Sequence, residues 1–219
     1  MKEIEIINFK IILFNLSPID PHEFEKRLWV EFDNVFDKTE FTIPTDPNIP
    51  VDMPILRLAS DDNIFKMELS KDRFTFYLDS KEGEKLKFES LKKYFKFIKS
   101  ALEKIELKFY RFGLIITAIK KDESPVESIK NKYFKINRDY SEMLIKYNVP
   151  FSYKEKNYNE VVNITGAQAT VGKSEPFSVV FIQRDINNVV INEKEAVDVF
   201  VLLEQIIDRT SSNKMDNII

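Results

Sequence analysis

The sequence predicts an α+β protein of two pseudo-repeated units, each an antiparallel sheet (one long strand plus a three-stranded meander) covered by a C-terminal helix. Three observations carry that expectation. Phe88, Leu91, Phe95, Ile98, Leu102 and Ile105 recur at alternating spacings of three and four, the period of one apolar helix face, with Lys92, Lys96, Lys99 and Glu103 turned away. Leu107 to Ile119 then drops the helical period for aromatic and branched residues, which suit a pleated, half-buried surface. Finally, landmarks recur when the first half is shifted by 104 positions. Asp20-Pro21 falls on Ser124-Pro125, the Ile4 strand on the Glu106 strand, and the Phe88 helix on one capped by Asn192. Residue identities across the shift are few, so element order and spacing carry the repeat. Residues 1–105 and 106–209 form the two units, packed together, with 210–219 as a polar tail.

Taken in order, Ile4 to Leu16 reads as a long first strand, ended by Ser17, Pro18, Asp20 and Pro21. Asp20-Pro21-His22-Glu23 reads as a helix start, with Asp as N-cap and Pro in the first helical position. Phe24, Leu28 and Phe32 continue it at a spacing of four, although Leu28 to Phe32 also suits a strand. Pro44, Pro47, Pro50 and Pro54 make Phe41 to Pro54 a stiff connector with too few donors for a central strand. Ile55 to Ala59, Ile64 to Leu69 and Arg73 to Leu78 are short strands, joined by the turn-forming Ser60-Asp61-Asp62-Asn63 and Ser70-Lys71-Asp72. Short links of this kind demand antiparallel pairing.

After the Phe88 helix, Glu106 to Lys120 is a strand long enough to cross a whole sheet or to bend at Gly113. Ser124-Pro125-Val126-Glu127 reads as a capping box, followed by Ile129 and Tyr133. Strands are expected around Phe151 to Tyr158, Val161 to Val171 and Pro176 to Arg184. Asn192 then caps a helix striped by Ala196, Val199, Leu203 and Ile206.

Composition narrows the function classes. Hydrophobic residues make up 43% of the 219 and Phe alone contributes 19, which is ample for a core. Thirty-three basic and 36 acidic residues leave a net charge of −3, which argues against a protein built mainly to coat nucleic acid. The absence of Cys excludes disulfides, thiolate nucleophiles and zinc–thiolate or iron–sulfur sites. A single His, His22, excludes a multi-histidine metal site within one chain. Glu3, Glu5 and Lys10 interrupt the apolar N-terminus, so no signal peptide is expected, and no stretch approaches a membrane span. A cytoplasmic protein is the expectation.

Four constellations could carry chemistry. Ala167 to Ser174 fits a loose phosphate-loop pattern ending in Gly172-Lys173-Ser174, yet the residues that follow read as a strand where a phosphate loop opens a helix. A hairpin turn is preferred there. His22 is the default acid–base candidate by its intrinsic pKa, but its place in a first helical turn suits an exposed residue. Asp46, Asp52, Asp61 and Asp62 are loop-borne carboxylates, and they also stand where turns use Asp to bond the backbone. Lys85, Lys87, Lys92, Lys93, Lys96 and Lys99, interleaved with Tyr94 and Phe97, form the one basic cluster. Its Lys92, Lys93, Lys96 and Lys99 would make a nucleic-acid face if not simply the solvated back of a helix.

The order of long strand, crossover, three-stranded meander and helix resembles the subunit of the export chaperone SecB, here twice in one chain. SecB's second helix has no counterpart in the sequence, and the tail Thr210 to Ile219 mixes polar and apolar residues. The whole layout is also similar to a sporadically distributed prokaryotic family of uncharacterised proteins. That family has a mid-chain helix followed by an Arg-x-Gly strand, comparable to Arg111-Phe112-Gly113-Leu114, and an Asp-bearing strand before a C-terminal helix, comparable to Asp185 and the Ala196 helix. Leu114 to Thr117 departs from its pattern, which has polar and aromatic residues there. The first resemblance implies polypeptide binding, and neither supplies catalytic residues.

The expected function is therefore a non-catalytic module that offers sheet edges or an apolar groove to a protein or peptide, as a SecB-like chaperone or adaptor. Self-association is compatible with it, and no cofactor, metal or membrane enters. The alternatives are a nucleic-acid-associated protein using the Lys92 face, and an enzyme whose carboxylates only the fold brings together.

Overall fold

Alternation along the first strand decides which side of the sheet is dry. Phe9, Ile11 and Leu13 are buried, while Lys10, Ile12 and Phe14 between them are only half-buried. Successive strand residues point to opposite faces, so one face of this strand meets a core and the other does not. The computed structural model describes residues 3–32, 35–42, 50–81, 84–134, 140–170, 175–189 and 195–212. Among them β1 (Glu5–Asn15) is followed by α1 (Pro21–Glu31), β2 (Lys38–Phe41), β3 (Leu56–Ala59), β4 (Phe65–Leu69) and β5 (Arg73–Asp79). Then come α2 (Phe88–Glu103), β6 (Phe109–Lys121), α3 (Pro125–Tyr133), β7 (Leu144–Tyr153), β8 (Lys156–Ala169), β9 (Phe177–Asn188) and α4 (Val199–Ser212). The fold is mixed α+β.

All nine strands join one antiparallel sheet, in the order β2-β3-β4-β5-β1-β6-β9-β8-β7. Its centre is the pairing of β1 with β6, where Phe9, Ile11 and Leu13 stand opposite Ile116, Leu114 and Phe112. Register carries the buried parity outward on both sides. Phe74, Phe76 and Leu78 of β5 pair with Leu13, Ile11 and Phe9, and Ile182 and Ile186 of β9 pair with Ala118 and Leu114. All four helices lie on this one face. Phe88 of α2 packs on Phe9 at 5.3 Å, Phe200 of α4 on Phe109 at 5.9 Å, and Phe32, just after α1, on Phe76 at 6.0 Å between ring centroids. Ile129 of α3 closes a smaller cluster with Val162, Ile164, Val180 and Ile182. Among the described residues the opposite face carries no helix.

Local chemistry explains several boundaries. The Asp20 carboxylate accepts from the His22 backbone N–H at 3.0 Å, capping α1 as the sequence suggests. The Ser124 side chain makes no such bond. Asp122 does the work instead, accepting from the Ser124 N–H at 2.9 Å and from the Ser128 hydroxyl at 2.8 Å. Gly113 does not interrupt β6, for Ile12 and Asn187 pair with it in continuous register.

Three expectations need correction, and one strand is not expected at all. The strand read across Phe151 to Tyr158 is a hairpin: Lys154 and Glu155 take φ of 47° and 64° and turn β7 into β8. Lys38–Phe41 is a strand that the sequence does not announce, paired with β3. The C-terminal helix begins at Val199, because Val197 is held by a backbone bond to the Phe109 carbonyl at 2.9 Å and Asp198 caps the Val201 N–H at 3.0 Å. Ala196 thus precedes the helix, and Asn192 lies outside the described residues. The same helix runs into the expected polar tail as far as Ser212, with Thr210 fully buried.

Leu91 on α2 and Leu203 on α4 are both fully buried between helix and sheet. Leu91→Asp or Leu203→Asp places an unpaired charge there, at a cost comparable to the whole stability of about 5–15 kcal/mol. Each variant should lose the cooperative thermal transition in circular dichroism. A folded variant with a melting temperature close to the parent's would contradict this core.

Candidate functional site

Among the described residues no helix packs on one face of the sheet, and no strand pairs with its long outer edge. On the face, parity and register bring together residues far apart in sequence. Thr75, Ile12, Gly113 and Asn187 lie in one transverse row. Arg73, Phe14 and Arg111 stand on one side of it, and Tyr77, Lys10, Ile115 and Asp185 on the other. The ring of Phe14 sits between two guanidinium groups, with Arg111 at 5.2 Å and Arg73 at 5.8 Å from its centroid. Asp52 and Pro54 reach across to wall a recess over Lys10, Ile12 and Thr75.

Most charges on this face are already answered. Arg73 pairs with Asp52 at 3.0 Å, Lys66 with Asp79 at 2.7 Å and Arg57 with Glu68 at 3.2 Å, and the Tyr77 hydroxyl donates to Glu68 at 2.8 Å. Burial pushes the Tyr77 hydroxyl pKa up, and the bond to Glu68 adds to it. Lys10 lies over the Tyr77 ring at 5.0 Å; burial pulls its pKa below the usual lysine value, against the attraction of Glu68. Arg111 reaches Asn187 at 3.5 Å, and its Nε has no partner among the described residues. Arg111, Gly113 and Asp185 all lie on this face. A Cβ built on Gly113 would lie 3.9 Å from the Asp185 carboxylate. Cations and carboxylates alternate, so the face presents no field of one sign.

The edge is different. β2 ends the sheet on one side with four residues, whereas β7 ends it on the other with ten. Two features fix the direction of the β7 backbone. Pro150 has no N–H to give β8, and Tyr153 and Lys156 close a two-residue hairpin, so they form a hydrogen-bonded pair. Both assign Tyr147, Val149, Phe151 and Tyr153 to the ladder with β8. Leu144, Lys146, Asn148 and Ser152 therefore aim their N–H and C=O groups outward. Among the described residues no strand pairs there. Leu144 and Val149 are 68% and 43% exposed on this strand. Arg209 of α4 holds its far end, with its guanidinium 3.8 Å from the Phe151 ring centroid and 5.9 Å from that of Tyr153.

The residues favoured by sequence lie elsewhere. Lys92 pairs with Asp208 at 2.7 Å, and Lys99 lies 4.0 Å from both Glu103 and Glu204. Lys93 and Lys96 are exposed. The interleaved aromatics do not share that surface: Tyr94 is buried, and Phe97 packs edge-on against Phe32 at 5.3 Å. Lys85 pairs with Glu3 at 2.7 Å. The His22 ring stacks on Phe41 at 5.1 Å. Asp52 is committed to Arg73, Asp61 lies 3.8 Å from Lys38, and Asp62 accepts from Ser60 at 2.8 Å and pairs with Lys81 at 3.3 Å. Asp46 and Gly172-Lys173-Ser174 lie outside the described residues. The flanking β8 and β9 are antiparallel neighbours with Ala169 opposite Phe177, so a strand, not a helix, follows that segment. Among the described residues no cluster of His, Asp and Glu is arranged to hold a metal, and no helix is long and apolar enough to cross a membrane.

Sequence reading passed over Lys10, Phe14, Arg73 and Tyr77. The signal was present in β1, where Lys10, Ile12 and Phe14 alternate with the deeper Phe9, Ile11 and Leu13, but parity alone does not say which face a helix covers.

Glycine within a strand weakens it, and Gly113 has neither positive φ nor a crowded Cβ position, for the nearest atoms would lie 3.8 Å away. Gly113→Ala should therefore raise stability by about 0.5–1 kcal/mol in chemical denaturation. A loss would show that the strand depends on this glycine. Because Lys10 has a lowered pKa when folded, its protonated form opposes folding, and that opposition fades as pH rises through the folded value toward about 10.4. Side-chain NMR titration should place its midpoint below that reference; a midpoint at or above it would contradict the burial. Comparison with known proteins finds no family model that matches the chain and no similar curated protein.

Proposed function

We propose that this is a cytoplasmic, non-catalytic polypeptide-binding module that captures an extended segment along the free edge of β7. The carrying observation is that edge itself: ten residues long, with the outward N–H and C=O groups of Leu144, Lys146 and Asn148 unpaired among the described residues. A long edge with exposed apolar side chains is a liability that proteins usually blunt, and an extended peptide satisfies it by main-chain hydrogen bonds. Pro150 blunts only the part next to the hairpin. An adaptor or SecB-like chaperone is the kind of protein that uses such an edge, and the resemblance in element order supports that reading.

We also propose that the sheet is built from one unit used twice. β1 is followed outward by β5, β4 and β3, and β6 by β9, β8 and β7. Ile11 pairs with Phe76 as Leu114 pairs with Ile186, and Ile11 and Leu114 are partners of each other. Each unit then closes with a helix, α2 or α4, that packs on the same face. β2 has no counterpart among the described residues of the second unit.

Nucleic-acid binding by the Lys92 face is the second reading, favoured by the exposed Lys93 and Lys96 but weakened by the carboxylates of Asp208 and Glu204 beside Lys92 and Lys99. The test is selection of peptides from a displayed random library, followed by titration against the parent and Asn148→Pro. The variant removes an outward donor but no ladder bond, so it should melt within about 1 kcal/mol of the parent and bind about tenfold more weakly. Equal binding by the variant would refute the edge. Affinity for an oligonucleotide that falls steeply with salt would favour the second reading.

A further inference from the structure

The same parity that frees the β7 backbone also dictates the chemistry of the segment that would lie along it. The inference below rests on the edge reading. Leu144, Lys146 and Asn148 project onto the helix-free face, because they share the parity of Asn163 and Val161 across the ladder. Ile145, Tyr147 and Val149 project onto the helix face. There Ile145 and Tyr147 are partly buried at the rim of the Ile129–Val162–Ile164 cluster, whose helix α3 packs on β8 and β9. Another strand laid beside β7 would extend that cluster by one row.

We infer that the β7 edge selects an extended segment of alternating character, apolar toward Ile145, Tyr147 and Val149 and acidic opposite Lys146. The apolar half of the pattern follows from the open rim of the cluster. The acidic half follows from Lys146, which is exposed and makes no ion pair among the described residues. Directly opposed side chains on neighbouring strands attract when their charges differ and repel when they match. A second copy of this chain paired about Lys146 would set two lysines against each other, so a foreign segment suits the edge better. Pro150 interrupts the outward donors, which limits the occupied stretch to roughly six residues of β7.

The test uses three synthetic peptides and the full chain. The first alternates valine with polar residues and carries one central glutamate; the second replaces that glutamate by lysine; the third has the composition of the first with its valines consecutive. Affinities are measured by fluorescence anisotropy for the parent, Lys146→Glu and Asn148→Pro. The glutamate peptide should bind the parent about fivefold more tightly than the lysine peptide, and Lys146→Glu should reverse the preference. The consecutive-valine peptide should bind more weakly than the first. Equal affinity for glutamate and lysine peptides, with both weakened by Asn148→Pro, would overturn this inference and leave the edge reading intact. No binding by any peptide would overturn both, as would a parent that proves dimeric through β7, detected as a monomer in Asn148→Pro.

Discussion

The structure depends on the antiparallel pairing of β1 with β6. Phe9, Ile11 and Leu13 meet Ile116, Leu114 and Phe112 on one side of that pair and are buried there, whereas Ile12, Phe14 and Ile115 on the other side share their face with Lys10 and Arg111 and are only half-buried. Once two long strands share a buried parity, every strand added beside them must present its apolar residues to the same face or leave them in water. Phe74 and Phe76 on one flank and Ile182 and Ile186 on the other obey that constraint. The helices have only one face on which to bury their stripes. The one-sided architecture is therefore a consequence of register and not an independent feature.

A one-sided sheet leaves two surfaces exposed, and they differ physically. The helix-free face is laced with short-range ion pairs such as Lys66–Asp79 and Arg57–Glu68, each partly exposed and so worth little in stability. They neutralise the face and keep it wet. The β7 edge cannot be neutralised in this way, because the groups left unpaired there among the described residues belong to the backbone. Among the described residues, the buried charges are Lys130 of α3, paired with Glu127 at 3.0 Å, and Glu160 and Arg184, which pair at 2.5 Å across β8 and β9 on the helix face. That contact lies close to Tyr147, whose hydroxyl pKa burial pushes up, with the Glu160 charge adding to it.

Much of this was legible in the sequence because it is local. The three-and-four spacing of α2, the Asp20-Pro21 start of α1, and the polar turns around Asp61 and Asp72 are each encoded within a few residues. What escaped is non-local or locally disguised. Lys154 and Glu155 take left-handed conformations without Asn or Gly to announce them, so the hairpin read as one strand. Lys38–Phe41 is a strand only because β3 is beside it. Whether two meanders form one sheet or two depends on β1 meeting β6, some hundred residues on, which no window of sequence contains. The candidate surfaces inherit that limit. Lys146 and Asn148 gain meaning only from the ladder parity set by Pro150 and the hairpin, whereas the conspicuous Lys92 stripe proves to be partly paired with α4.

The most direct measurement is residue-resolved amide hydrogen exchange along β7 in the free protein and with a bound peptide. The account predicts alternation in the free protein, with Tyr147, Val149 and Phe151 protected and Lys146, Asn148 and Ser152 exchanging freely, and protection of Lys146 and Asn148 once the peptide is bound. Uniform protection of β7 in the free protein, or outward amides that stay unprotected when peptide binds, would contradict it.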